Sequence, residues 1–197
     1  MTIYDLKPKF QALLRPLVQK LANNGYTPNQ ITWFALILSV LFGGFIAYTH
    51  GASWTLLLLP LFFFIRMALN AIDGMLAREH KMQTQAGAVL NELSDVLADT
   101  ALYLPFALIT GVNAVAVVLF VILGIVTEMA GVISQTVYGT RRYEGPMGKS
   151  DRAFIMGLLA LLLGLGIEAG LWSDILLGVG VLLEIVTLFN RSRAKEQ

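Results

Sequence analysis

Six stretches of about twenty mostly apolar residues, each closed by turn chemistry, limit what this chain can fold into more than any other feature. They fall near residues 28–49, 53–78, 84–110, 113–138, 151–168 and 173–192, with breaks at "HGAS" from 50, "TGVN" from 110, "GPMGKSD" from 145 and "EAGLWSD" from 168. A bilayer core of about 30 Å takes about 20 helical residues, so each stretch is long enough for one crossing. Period-two alternation is absent, which excludes strands of a membrane barrel. With 56% hydrophobic and 14% charged residues among 197, the chain lies outside ordinary soluble domains. It contains no cysteine, which excludes disulfides and thiolate metal sites, and a net charge of +1 gives no basic excess for nucleic acid.

Orientation follows from the cations, because cytoplasmic loops are enriched in Lys and Arg. Of the fourteen, all but Arg66 lie before the first span, after the second, around the fourth loop or at the end of the chain. The turns at 50, 110 and 168 carry none. The expected fold is an all-α integral membrane protein of six transmembrane helices, with both termini in the cytoplasm.

Residues 1–25 lack the continuous apolar core and small-residue cleavage site of a secretory signal. Ile3, Leu6, Phe10, Leu13, Leu14, Leu17, Val18 and Leu21 recur at helical spacing, interleaved with Lys7, Lys9, Arg15 and Lys20. This predicts an N-terminal amphipathic juxtamembrane helix, bent at Pro16, and two readings fit it: an interfacial helix on anionic headgroups, or a helix packed on the bundle. Residues 26–197 then form a six-helix transmembrane domain.

The stretch "NAIDGMLAREHKMQTQAGAVLNELSDVLAD" at 70–99 interrupts this apolar pattern with acids, asparagines and small residues. Asn70, Asp73 and Ala77 share one face of the second span beside Gly74, while Gly87, Asn91, Asp95 and Asp99 step by four along the third. Facing helices can thus converge several oxygen ligands, with small residues leaving room for a ligand. Oxygen-only ligation suits Mg2+ or Mn2+, not zinc. The alternative is a buried polar network that fastens helices together.

These residues also resemble a known signature. D-x2-D-G-x2-A-R-x8-G-x3-D-x3-D marks the CDP-alcohol phosphotransferase (CDP-alcohol phosphatidyltransferase) family, and this chain has Asn70, Asp73, Gly74, Ala77, Arg78, Gly87, Asn91 and Asp95 at those spacings. The six-span plan and amphipathic leader fit as well, and within the family the chain is most similar to an inner-membrane branch. The resemblance implies a domain catalysing transfer of a phosphatidyl-type group from CDP-diacylglycerol to an acceptor alcohol, with release of CMP, at the cytoplasmic edge of a bacterial inner membrane. It also implies one or two Mg2+ or Mn2+ ions on Asn70, Asp73, Asn91 and Asp95, with Asp95 as the base. Gly74, Ala77, Arg78, Thr84 and Gly87 would contact the CDP-lipid, with Asn29 and Thr32 of "TPNQIT" bordering that pocket. A homodimer is implied too.

Two departures matter. Asn70 and Asn91 stand where the family has bridging aspartates, so the second ion is expected to bind weakly, and a non-catalytic or regulatory CDP-lipid binder is the competing reading. Glu92 and Asp99 lie within one turn and offer compensating charge. A transporter ranks third, for want of an inverted repeat or broken helix pair.

In "GTRRYEGPMGKSDR", Arg141, Arg142, Lys149 and Arg152 flank a helix start that Ser150 or Asp151 can cap. They form either an anionic acceptor site or ordinary cytoplasmic loop charge. Arg66, Glu128 and Glu184 are charges inside spans and are expected to pair, Arg66 with an acid on a facing helix. Gly157, Gly164, Gly166, Gly178 and Gly180 are expected to permit close helix packing.

Overall fold

The computed structural model describes residues 3–193, with side chains from residue 8 onward. The expectations placed on the side chains of Ile3, Leu6 and Lys7, and on Lys195, lie outside those described residues. Seven α-helices follow one another among them: α1 (Ile3–Asn23), α2 (Pro28–Tyr48), α3 (Ser53–Glu79), α4 (Gln85–Tyr103), α5 (Ala114–Tyr138), α6 (Lys149–Gly164) and α7 (Leu171–Ser192). A short 3-10 segment, Leu104–Leu108, follows α4.

The helix limits have local causes. Thr27 and Gln30 form a reciprocal capping pair at the start of α2, with the Thr27 amide donating to Gln30 Oε1 at 2.9 Å, and Pro28 fills the first helical position where no amide is needed. The third apolar stretch was expected to stay helical to 110. Pro105 lacks the amide that the next α-helical bond requires, so α4 stops at Tyr103 and the chain tightens into the 3-10 segment. Asn113 Oδ1 accepts from the Ala116 amide at 3.1 Å to cap α5, which ends in left-handed Gly139. The sixth helix begins earlier than expected, at Lys149. Asp151 accepts the Gly148 amide at 2.9 Å, so Asp151 rather than Ser150 closes that turn. Residues 165–168 were expected in this span, but the chain leaves the helix after Gly164 and turns through Gly166 at φ +88°.

Among the described residues four helices, α2, α3, α5 and α7, are long and apolar enough to cross a membrane. The other two expected spans fall short by charge or by length. α4 carries Glu92, Asp95 and Asp99, and α6 has only 16 residues and opens with Lys149, Asp151 and Arg152. Large apolar side chains such as Trp33, Ile37, Leu41, Phe64, Ile122 and Leu182 are exposed, as on a lipid-facing surface.

The chain divides into two compact units. Unit 1 comprises Met1–Ser39 and Phe62–Ala98, and unit 2 comprises Val40–Leu61 and Asp99–Gln197. In unit 1, Val18 of α1 packs with Ile31 of α2 and with Ile72, Met75 and Leu76 of α3, flanked by Leu14, Leu21 and Leu69. Phe10 meets Phe64 edge to face at 5.7 Å, and Arg15 bridges Glu79 at 3.0 Å. One stripe of α1 is thus packed on α2 and α3, while Leu13 and Leu17 remain exposed. α1 continues through Pro16.

In unit 2, α5 packs against α7 and the 3-10 segment, and α6 packs against α7. Where lipid replaces water, apolar transfer contributes little between helices and close packing carries the association. Three glycines supply it: a Cβ at Gly43 would collide with the Ala101 carbonyl, one at Gly164 would lie 2.8 Å from Leu57, and one at Gly180 would lie 2.7 Å from Phe120. Gly157 is buried in α6. Gly166 and Gly178 meet nothing within 4 Å, so the packing role expected of them is not theirs.

Candidate active site

The signature residues lie in unit 1, on the C-terminal part of α3 and the N-terminal part of α4. Asp73 is buried, and Thr32 Oγ1 lies 3.0 Å from its Oδ2 and equally near the Pro28 carbonyl, with one proton to donate between them. On α4, Asp95 Oδ1 accepts from Asn70 Nδ2 at 3.2 Å and lies 3.7 Å from Arg66 Nη2. The same guanidinium nitrogen donates to the Asp95 carbonyl at 3.1 Å. Arg66 therefore pairs with an acid on a facing helix, as expected, and that acid is Asp95, the residue assigned the base's part. Asn91 is half-buried one turn before it.

The residues expected around the nucleotide also gather in this unit. Thr84 Oγ1 accepts the Gly87 amide at 3.0 Å and caps the start of α4. A Cβ at Gly87 would lie 2.7 Å from Asn29 Oδ1 and 2.9 Å from Thr84 Oγ1, so glycine is what lets Asn29 reach this helix. A Cβ at Gly74 would lie 2.9 Å from an Arg78 guanidinium nitrogen, which places the exposed Arg78 over that glycine. Ala77 is half-buried between them in sequence.

No group of three or more His, Cys, Asp or Glu side chains suited to a metal occurs among the described residues. The donor set here is two carboxylates, Asp73 and Asp95, with the amides of Asn70 and Asn91, and one carboxylate already neighbours a guanidinium. That set suits one hard divalent cation better than two, since amide oxygens bring no charge.

The loop cations lie in unit 2, where the 140–148 segment is tied down at several points. The Arg142 amide donates to the Gly131 carbonyl at 3.2 Å, and the Met147 amide donates to Thr187 Oγ1 at 2.9 Å. Gly131 and Gly145 permit these approaches: a Cβ would lie 2.7 Å from the Arg142 carbonyl at the first and 2.6 Å from Thr187 at the second, where φ is +134°.

Glu128 of α5 is the focus of this region. Its Oε1 lies 2.7 Å from Arg152 Nη2 and 3.3 Å from Arg191 Nη1, and its Oε2 lies 3.0 Å from Arg141 Nη2. Arg152 also lies 3.7 Å from Asp99 Oδ2. Arg142 pairs with Glu144 at 3.6 Å and donates to the Arg193 carbonyl at 3.0 Å. Burial pulls the Arg141 guanidinium below its ordinary pKa, with Arg191 acting the same way, though a guanidinium stays charged in any physiological medium. Lys149, half-buried, is the first residue of α6.

Of the three charges expected to pair with one another, none does so. Arg66 goes to Asp95, Glu128 goes to three arginines, and neither oxygen of the buried Glu184 has a hydrogen-bond partner among the described residues. Sequence reasoning missed Arg191 as a member of this cluster. Its signal was present, since Glu184, Thr187 and Arg191 fall at i, i+3 and i+7 on one face of an otherwise apolar helix.

Comparison with known proteins accords with this arrangement. Residues 25–186 match the family model described as CDP-alcohol phosphatidyltransferase. The chain is 46% identical over 194 residues to the inner membrane protein YnbA of Escherichia coli K12, covering 98% of this chain and 96% of that one. It is 34% identical over 193 residues to an uncharacterised protein of Aquifex aeolicus, covering 94% and 90%. Among solved structures, phosphatidylinositol phosphate synthase of Mycobacterium tuberculosis with CDP-DAG bound superposes with a TM-score of 0.75 at 18% identity, over 89% of each chain. The same enzyme in complex with manganese and citrate gives 0.74 at 18% identity, over 89% of this chain and 85% of that one. The likeness to YnbA agrees with the inner-membrane branch expected from sequence, and the chain belongs to the CDP-alcohol phosphatidyltransferase family.

Proposed function

We propose that this protein transfers a phosphatidyl-type group from CDP-diacylglycerol to an acceptor alcohol and releases CMP. The observation that carries the reading is the gathering, in one unit, of Asp73 and Asp95 with the residues expected to bind the nucleotide: Asn29, Thr32, Gly74, Ala77, Arg78, Thr84 and Gly87. Support comes from family membership and from a relative crystallised with CDP-DAG.

Asp95 removes the proton of the acceptor hydroxyl as its oxygen attacks the lipid-linked phosphorus, and CMP departs. Arg66 and Asn70 fix the orientation of Asp95. Arg78, exposed over Gly74, suits a phosphate oxygen of the CDP group. Asp73 and Asp95, with the amide oxygens of Asn70 and Asn91, would hold Mg2+ or Mn2+, which when bound neutralises the diphosphate. Arg141, Arg142, Lys149 and Arg152 serve the acceptor.

In this reading the protein crosses a bacterial inner membrane six times, with α4 and the short α6 joining the four apolar helices. The termini and the 139–150 loop face the cytoplasm, the exposed Leu13 and Leu17 of α1 rest at the interface, and the protein is a homodimer. Reporter fusions in that loop check the topology, and a periplasmic signal there overturns it.

The decisive experiment is metal-dependent CMP release from CDP-diacylglycerol by the purified protein in the presence of a panel of alcohols. Asn70 and Asn91 favour the second reading, a CDP-lipid binder without turnover, and binding of the lipid with no CMP release under any condition would establish it. Lipid analysis after overexpression identifies the acceptor.

A further inference from the structure

Arg66 is nearly enclosed within unit 1, in a stretch of α3 that reads "LFFFIRMALN". A guanidinium in so apolar a segment is expensive to keep, so its placement calls for a reason. Asp95 meets it twice: Arg66 Nη2 donates to the Asp95 carbonyl at 3.1 Å and lies 3.7 Å from Asp95 Oδ1.

The two contacts differ in kind. The first is a hydrogen bond to backbone, which stays in place when the Asp95 side chain turns toward a ligand. The second is too long for a hydrogen bond and acts through charge alone. Arg66 is therefore anchored to α4 itself, and its charge remains beside the Asp95 carboxylate whatever that carboxylate binds.

Exposure within the pair is unequal. The Arg66 side chain is 6% exposed and that of Asp95 26%, so the cation stands behind an acid that is open on its other side. Asp95 Oδ1 also accepts from Asn70 Nδ2 at 3.2 Å, which puts two groups from α3, a guanidinium and an amide donor, against one oxygen. A metal ion arriving at Oδ1 must displace a donor and settle next to a fixed positive charge. At Asp73 the neighbour of Oδ2 is the neutral Thr32 hydroxyl. Taken together, Asp73, Asp95 and Arg66 carry one net negative charge, which a single divalent ion already overcompensates and a second would meet as repulsion.

From this geometry we infer that Arg66 is a resident cation that takes, beside Asp95, the place of one divalent ion, so that the site loads a single metal ion. Arg66 is then a positioning residue that acts through Asp95. The inference deepens the transferase reading and rests on it for the use made of the ion, whereas the effect of Arg66 on cation binding can be measured without substrate.

Mn2+ is titrated into the purified protein without CDP-lipid, and the EPR signal of the free ion is the readout. The wild type is expected to bind one ion. Arg66→Gln removes the charge while keeping a donor, and is expected to bind Mn2+ about tenfold or more tightly than the wild type, the order expected of a unit charge about 4 Å away at a partly buried site. Arg66→Lys keeps the charge and is expected to bind like the wild type. Two ions in the wild type overturn the inference, and so does binding by Arg66→Gln that is equal to or weaker than that of the wild type. Weaker binding is what a side chain that only fastens α3 to α4 would give. Arg66→Lys behaving like Arg66→Gln overturns it too, since charge would then not be what matters.

Should Arg66→Gln fail to fold, the double variant Arg66→Gln/Asp95→Asn, which removes both charges of the pair, is compared with Asp95→Asn alone. Tighter Mn2+ binding by the double variant is expected, and equal or weaker binding overturns the inference. CMP release from CDP-diacylglycerol across a range of Mg2+ concentrations separates this inference from the transferase reading. Half-activation at lower Mg2+ in Arg66→Gln than in the wild type is expected, and an unchanged or higher requirement overturns the inference. Absence of CMP release from every form counts against the transferase reading and leaves the Mn2+ titration to decide this one.

Discussion

Asp95 keeps 26% of its side chain exposed, with Asn70 at 3.2 Å and Arg66 at 3.7 Å. Around Glu128 the arrangement is reversed: Arg152 and Arg191 are each 2% exposed, and one carboxylate receives three cations. Groups meant to meet a changing ligand must retain unspent valence, whereas groups that define the shape and charge of a pocket do so best when fully tied. The first cluster keeps a carboxylate accessible, and the second encloses one among cations.

Substitutions can break this contrast in descending order of effect. The largest is expected at Asp95. Asp95→Asn should leave folding and CDP-lipid binding nearly intact while lowering CMP release about 100-fold or more, the scale of losing a general base. Unchanged release in that variant removes Asp95 from the chemistry.

Next comes the metal. Asn70→Asp combined with Asn91→Asp restores two anionic oxygens, and Mn2+ titration followed by EPR should then show affinity rising by about tenfold or more, with a second ion bound. Identical stoichiometry and affinity in both forms would mean that the polar cluster only fastens α3 to α4.

The cluster around Glu128 depends on its loop. Gly131→Ala pushes a methyl against the Arg142 carbonyl, 2.7 Å from the new carbon, and backbone is what must yield. Thermal unfolding in detergent should show a loss of about 1–3 kcal/mol. Gly178→Ala is the control, because nothing lies within 4 Å of that site. It should be neutral or stabilising, by up to about 1 kcal/mol from helix propensity. Equal losses at the two positions would show that the 140–148 segment is not held where described.

The smallest effect is expected at Arg15. Its bridge to Glu79 joins two exposed side chains, and such pairs contribute little. Arg15→Gln should leave the unfolding temperature unchanged, and a clear drop would mean that α1 depends on this contact more than on Val18.

Much of this architecture was legible beforehand because it is written locally. Apolar runs closed by turn residues located five of the helices to within a few residues, and the error in α4 came from underrating Pro105. The spacing of Asp73, Gly74, Arg78, Gly87 and Asp95 placed these residues on the ends of α3 and α4 that one short turn joins, because two helices so joined leave few other ways to face each other. Partner choice was not legible. Arg66 finding Asp95, and Glu128 finding Arg152 and Arg191, are contacts between residues 24 to 63 positions apart, and nothing in a one-dimensional pattern says which of several acids a buried guanidinium will reach. Arg191 looked like an ordinary cation at the end of a span because its distinguishing feature is a polar face shared with Glu184 and Thr187.

The stitching of the 140–148 segment has a consequence for time as well as for charge. Adjacent arginines in a connection between helices are a natural target for trypsin, which must draw several residues into an extended conformation before it can cut. Arg142 is buried here, its amide is bonded to the Gly131 carbonyl, and Arg141 is held by Glu128. Cleavage must then wait for these bonds to open together, so the lifetime of the Arg141–Arg142 peptide under protease measures how often the arginine cluster around Glu128 comes apart.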